Sequence, residues 1–259
     1  MILRRFMQHV KDQNWFAVGL ELVVVIVGIF LGMQVTNWND TRIENETAKV
    51  YIERVREDLK GNQTDLQERI AYFKTVRKAA ESALKSFNGP QEELGKDFVI
   101  NIFQASHLLP RELGRDTYDE ILSVGALNTE MTINVRKRLA IHYRSIGAPV
   151  VNLDRSVPYR DIVRKILPYD VQVLIRTSCN DVIETKPNGE PSIRLPETCD
   201  IDIPQPLVDE AIEAILAANI KPELIHRLSL IDSIQGSMRL ILSRIELLDN
   251  DLKQWRDAN

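Results

Sequence analysis

The residues that could do chemistry are few and scattered. Four histidines occur in 259 residues. His107 lies in Gln-Ala-Ser-His-Leu-Leu-Pro, His142 in Leu-Ala-Ile-His-Tyr-Arg and His226 in Glu-Leu-Ile-His-Arg. Each sits at a helical position beside apolar residues, with no Ser or Cys nucleophile close in sequence. Each is therefore read as a packed or surface histidine and not as a triad base. The acidic pairs Glu57-Asp58, Glu92-Glu93 and Asp119-Glu120 would act as acid and base only across a cleft. On amphipathic helices such pairs form a solvated face. No G-x-G-x-x-G, P-loop, H-E-x-x-H, G-x-S-x-G or C-x-x-C is present. The expectation is no catalytic, cofactor-binding or metal-ligating residue, and no cofactor.

Two further chemistries are specific. Cys179 and Cys199 flank Gly189 symmetrically, inside the turn signal Pro187-Asn188-Gly189. A hairpin there brings the thiols together, and outside a reducing compartment they oxidise. Closing such a loop of about twenty residues contributes about 3 kcal/mol in the chain-entropy model. A zinc or redox site needs closer spacing or more ligands. Asp170 to Thr177 is rich in β-formers, whereas Pro191 and Pro196 argue against a regular ladder. An irregular, disulfide-tied loop over 170–200 is expected.

The other specific group is Glu21. It is the single strongly polar residue between Phe16 and Met33, inside the apolar run from Trp15 to Val35. About twenty helical residues rise about 30 Å, the thickness of the hydrocarbon layer. Trp15 and Trp38 bracket the run as interfacial anchors. Arg4, Arg5 and Lys11 precede it, so the positive-inside rule places the N-terminus in the cytoplasm and the rest outside. The core is long for a signal peptide, and Gly32 to Asn37 offers no Ala-x-Ala cleavage pattern. Glu21, Val25, Gly28 and Gly32 share one stripe of this helix. Gly28 and Gly32 form a G-x-x-x-G, which lets a second helix approach closely. A carboxylate at that depth must be neutral, paired or snorkelling. The stripe is expected to be a helix–helix interface.

Composition agrees. Lys and Arg number 33 against 37 Asp and Glu, a net charge of −4. No basic surface points to nucleic acid. At 44% hydrophobic and 27% charged residues, the chain is a globular composition carrying one span.

The elements that position these groups are helical. Ile52, Leu59, Leu66, Phe73, Ala80 and Phe87 recur every seven residues, and Val55, Ile70, Val76 and Leu84 fill the same side. Gly89-Pro90 ends that helix. Leu224, Ile231, Met238, Ile245 and Leu252, with Ile234, Ile241, Leu248 and Trp255, form a second heptad seam. Shorter helices are expected over Asp97 to Leu109, Thr117 to Val124, Met131 to Ser145 (closed by Gly147), Asn152 to Leu167 with Pro158 starting a new turn, and Pro204 or Gln205 to Asn219. The fold class is therefore mainly α. Residues 1–14 form a cytoplasmic tail and 15–36 a transmembrane helix. Residues 37–88 form a membrane-proximal helix and 89–259 a helical bundle, with 222–257 packing on 50–88.

The run from Glu21 to Gly32, followed by Met33-Gln34-Val35-Thr36-Asn37-Trp38-Asn39, resembles a family of bacterial membrane-anchored proteins known only as a domain of unknown function. Thr117-Tyr118-Asp119-Glu120-Ile121-Leu122-Ser123-Val124-Gly125-Ala126-Leu127 resembles its second patch. The resemblance covers the first fifty residues and 115–145. It implies an inner-membrane anchor with a periplasmic helical domain, and it carries no catalytic residues. The expected function is a structural or accessory interaction subunit. Its partners are the bilayer and either a second copy or another membrane protein. The alternatives are an extracytoplasmic sensor or ligand-binding module, a small anchored subunit of an ion-driven complex, and an enzyme of unrecognised type.

Overall fold

A computed structural model describes residues 15–110, 112–153, 158–186, 189 and 191–258, with backbone only for 15–18 and 147–153. The expected tail 1–14, the Trp15 side chain, and Pro187 and Asn188 of the turn lie outside the described residues. The chain divides into a unit ending at Tyr51 and a unit spanning Ile52–Ala258. Among the described residues are eight α-helices and one hairpin. The helices are α1 (Trp15–Phe87), α2 (Lys96–Gln104), α3 (Asp116–Val124), α4 (Ile133–Leu153), α5 (Pro158–Ile166), α6 (Tyr169–Cys179), α7 (Gln205–Ala217) and α8 (Lys221–Ala258). The strands are β1 (Val182–Thr185) and β2 (Pro191–Arg194).

In the first unit, an 18-residue stretch of α1 has a mean hydropathy of 2.1, and none of it is buried. Every large apolar side chain from Leu20 to Val35 is exposed. A core helix of a water-soluble fold buries such residues, so this one is long and apolar enough to cross a membrane. Where the stretch ends, Thr36, Thr41 and Thr47 each donate to the carbonyl four residues back, at 3.0, 2.9 and 2.8 Å. These bonds satisfy the hydroxyls within the helix itself.

In the second unit the α1 seam turns inward. Ile52, Val55, Leu59, Leu66, Phe73, Val76 and Ala80 are buried. On α8 the buried positions include Leu224, Ile231, Met238, Ile245 and Leu252. Three ion pairs run between the two helices: Glu53–Arg256 at 2.7 Å, Arg56–Asp249 at 2.7 Å and Arg77–Asp232 at 2.6 Å. Residue numbers rise on one helix as they fall on the other, so the two run antiparallel. α4 also packs on α8, and α7 packs against α2, α5 and α6. Apolar side chains of α2, α5, α6 and α7 share one core that includes Phe98, Phe103, Tyr159, Val171 and Ile215.

The α1 seam is not wholly apolar. Asn62, Asp65 and Arg69 are buried in it. They face the irregular segment between α2 and α3. Asn62 donates to the Gly114 carbonyl and accepts from the Gly114 N–H, both at 2.7 Å. Arg69 pairs with Asp65 at 2.6 Å and donates to the Glu112 carbonyl at 3.3 Å. Asp58 accepts from the Thr117 N–H at 3.1 Å, at the start of α3. A stretch without helix or strand lacks ladder partners for its backbone, and α1 supplies some of them from buried side chains although Glu112 and Gly114 are themselves exposed.

Four expectations change. Asp170 to Thr177 is not β but part of helix α6. Val171, Ile175 and Cys179 are buried at intervals of four, so burial at helical spacing overrides the local β preference of Val and Ile. Gln172, on the same face, donates to the Arg164 and Leu167 carbonyls. The loop beyond is more regular than expected, because Val182↔Arg194, Ile183↔Ile193, Glu184↔Ser192 and Thr185↔Pro191 pair antiparallel. Pro191 occupies the terminal pair, where a missing N–H is tolerated. Gly189, at φ +85°, adopts the left-handed turn that glycine favours. α4 continues past Gly147 to Leu153, and the helix expected from Asn152 begins anew at Pro158. The Cys179–Cys199 disulfide is formed, with a Cα separation of 5.4 Å.

Removing the Asn62 amide deletes two hydrogen bonds to the backbone of Gly114, an exposed residue whose N–H and C=O can turn to water, so each is worth about 0.5–1.5 kcal/mol. Asn62→Ala is expected to destabilise the protein by about 1–3 kcal/mol in denaturant melts followed by circular dichroism. Arg77→Ala, which breaks an exposed pair, is expected to cost less than about 1 kcal/mol.

Candidate functional site

Glu21, Val25, Gly28 and Gly32 lie on one exposed stripe of α1. A Cβ placed on Gly28 or Gly32 meets nothing within 4 Å, so this face is open within one chain. Trp38 is 68% exposed. The geometry offers a smooth strip for another helix.

The densest polar cluster is elsewhere, at the C-terminal end of α2. A helix leaves its last carbonyls without partners, and burial makes that costly. Arg227 of α8 answers this, with Nε donating to the Ala105 carbonyl at 3.1 Å and Nη2 to the His107 carbonyl at 2.7 Å. Arg160 Nη1 donates to the Ser106 carbonyl at 3.0 Å, and the Tyr159 hydroxyl to the Ile102 carbonyl at 2.9 Å. Cations suit the negative end of a helix. Arg227 is nonetheless 0% exposed, a rare state for a guanidinium. Burial lowers it to about 10, so it stays charged at neutral pH. Arg164 stacks over Phe103, its guanidinium carbon 3.5 Å from the ring centroid.

His107 is surrounded by these cations. Burial first, then Arg164, Arg160 and Arg227, push it down to about 3. Its Nδ1 lies 3.3 Å from the Tyr72 hydroxyl, which donates to Asp181 at 2.8 Å. Burial, and then the Asp181 charge, raises Tyr72. Asp181 itself is raised by burial, opposed by the Tyr72 hydrogen bond and Arg160. At neutral pH the imidazole and phenol are both neutral and far from titrating. They make a hydrogen-bonded lock and not a proton-cycling pair. The lock also holds the hairpin, through Asp181 and a Lys186–Glu68 pair at 2.7 Å, against α1.

The remaining sequence candidates disperse into structural pairs. Asp119 pairs with Arg115 at 2.6 Å, and Glu120 with Arg54. Glu92 and Glu93 are exposed in a 3-10 turn, and His226 is exposed. His142 is buried edge-on to Tyr143, which stacks on Tyr118 with ring centroids 4.5 Å apart. Among the described residues no group of three His, Cys, Asp or Glu side chains could hold a metal. Sequence reasoning reached His107 but missed Arg227. The available signal was a charged residue at an inner position of the α8 seam, three residues after Leu224.

No family model matches the chain, and neither curated proteins nor solved structures give a match.

His107, and His142, which burial and then Arg244 lower to about 4, bind protons less readily folded than unfolded. Their contribution to stability is complete above about pH 6.5 and is lost as pH falls towards those values. Each removes up to about 1.4 kcal/mol per pH unit in that window. Asp181, with its raised value, acts in the opposite sense. Melts at pH 7 and pH 5 should show this loss, and His107→Asn with His142→Asn should flatten the slope while lowering stability at pH 7.

Proposed function

We propose that this chain is a single-pass membrane protein whose extracytoplasmic helical domain is a structural or accessory interaction subunit. The observation that carries this reading is the uncovered apolar stretch of α1 with its open Gly28–Gly32 face. In lipid, that face gains by close packing against another helix. Two independent features support a cytoplasmic N-terminus. Basic residues precede the span, and a formed disulfide suits an oxidising compartment on the other side. The resemblance of the anchor segment to bacterial membrane-anchored proteins supports the inner membrane, with the C-terminal domain in the periplasm. The long antiparallel seam of α1 and α8 gives the domain a stiff frame suited to presenting a surface, and the lock at His107 argues for rigidity over turnover.

The deciding experiment is a native pull-down in mild detergent through a C-terminal tag, read by native mass. A stoichiometric second protein or a homo-oligomer is expected. Gly28→Leu with Gly32→Leu should abolish that association while leaving the helical content unchanged by circular dichroism. A monomer without partner, or an association indifferent to both substitutions, overturns the reading.

A further inference from the structure

A cleft of about 310 Å³ opens on the Ile52–Ala258 unit. Two helical stripes line it, Thr75 to Ser82 on α1 and Asp97 to Gln104 on α2. The third wall is the strap 196–200, tied to the end of α6 by the Cys179–Cys199 disulfide. The two cysteines stand differently towards solvent. Cys199 lines the cleft and is partly buried, whereas Cys179 is 2% exposed and packed in the core. Gln104 Nε2 also donates to the Cys179 carbonyl at 2.9 Å and fixes that end of the bond. A thiolate opens a disulfide by attacking the sulfur it can reach, and the other sulfur leaves. Here the leaving residue is the last of α6, at the negative end of the helix, which disfavours a departing thiolate. The charges near the reachable cysteine add a second bias. Glu197 precedes Cys199 by two residues, Asp200 follows it directly, and Asp97 lines the α2 wall. Among the described lining residues Lys78 is the single cation, and Lys96 engages Asp200 at 3.3 Å, so carboxylates outnumber ammonium groups. An attacking thiolate is itself an anion. This rim therefore slows every thiol, and least the one that carries a positive group.

We propose that the disulfide is a thiol-exchange site entered through this cleft, where Cys199 Sγ receives the incoming sulfur and the acidic rim favours cationic over anionic thiols. The incoming thiolate bonds to Cys199 Sγ as the Cys179–Cys199 bond breaks, and the released Cys179 thiolate takes a proton from water. A second thiolate attacks the added sulfur and releases Cys199. The protein thus gains two electrons and two protons while two small thiols become one disulfide. Run in reverse, the same steps close the strap. The inference rests on the formed disulfide and is independent of the accessory role.

The test is the rate of reduction of the full-length protein in mild detergent at low ionic strength, with cysteamine, 2-mercaptoethanol and thioglycolate as cationic, neutral and anionic thiols. Each rate is divided by that thiol's rate with the neutral 2-hydroxyethyl disulfide, which removes differences in thiolate fraction and nucleophilicity. The normalised rates are expected to fall in that order, with cysteamine about tenfold ahead of thioglycolate and the spread shrinking in salt. Asp97→Asn combined with Glu197→Gln, both at exposed positions, should narrow the spread to about threefold. Acid quenching and peptide mapping should place the first added thiol on Cys199. An added thiol on Cys179, equal normalised rates, a spread unchanged by the double variant, or a rate independent of thiol concentration overturns the proposal.

Discussion

A buried backbone segment that is neither helix nor strand must have every N–H and C=O met by something else. The start of the stretch between α2 and α3, Ala105 to His107, is buried and imposes that demand on the rest of the Ile52–Ala258 unit, while the more exposed end of the stretch takes further partners from α1. Its carbonyls at Ala105, Ser106 and His107 are met by Arg227 and Arg160, and Glu112, Gly114 and Thr117 are met by Arg69, Asn62 and Asp58. Asn62, Arg69 and Arg227, unlike the buried Arg56 that pairs with Asp249, thus have one cause. They stand where leucines would pack better because the neighbouring backbone needs donors and acceptors. A seam built that way also specifies register, since a heptad slip would leave both the side chains and the segment unmatched.

The same demand sets the chemistry of the cluster. Burial first, and then the positive potential of the guanidinium groups gathered at the end of α2, drives His107 far below the range in which an imidazole exchanges protons. Tyr72 and Asp181 then organise around a neutral ring. The outcome is a site with catalytic residue types but structural roles, and the hairpin is fastened by it. Perturbed titration is a sign of function only when the group can still change state under working conditions.

The long apolar N-terminal stretch and the two long helices were legible because their signals are long and periodic. The apolar run, the heptads of α1 and α8, the Gly89-Pro90 stop and the spacing of the two cysteines each rest on many residues or on a fixed geometric rule. What was illegible depends on tertiary partners. α6 carries Val171, Val173 and Ile175, which read locally as strand, and only the core against α2 and α7 makes the four-residue interval of Val171, Ile175 and Cys179 decisive. Asn62 and Arg227 read as imperfections in a heptad until Gly114 and the end of α2 are placed beside them. The pairing of Pro191 was unexpected because a proline's effect depends on which rung it occupies.

The disulfide joins the end of α6 to the strap that walls the cleft. Its formation is therefore an assembly step and not only a brace. A chain still facing a reducing compartment has the helices but lacks the fixed third wall, and the Cys179 carbonyl that orients Gln104 is tethered less firmly. If the domain is exported, crossing the membrane supplies the oxidation that finishes the pocket. The finished wall would then exist only where the protein is meant to reside, so the chain would carry its own marker of arrival.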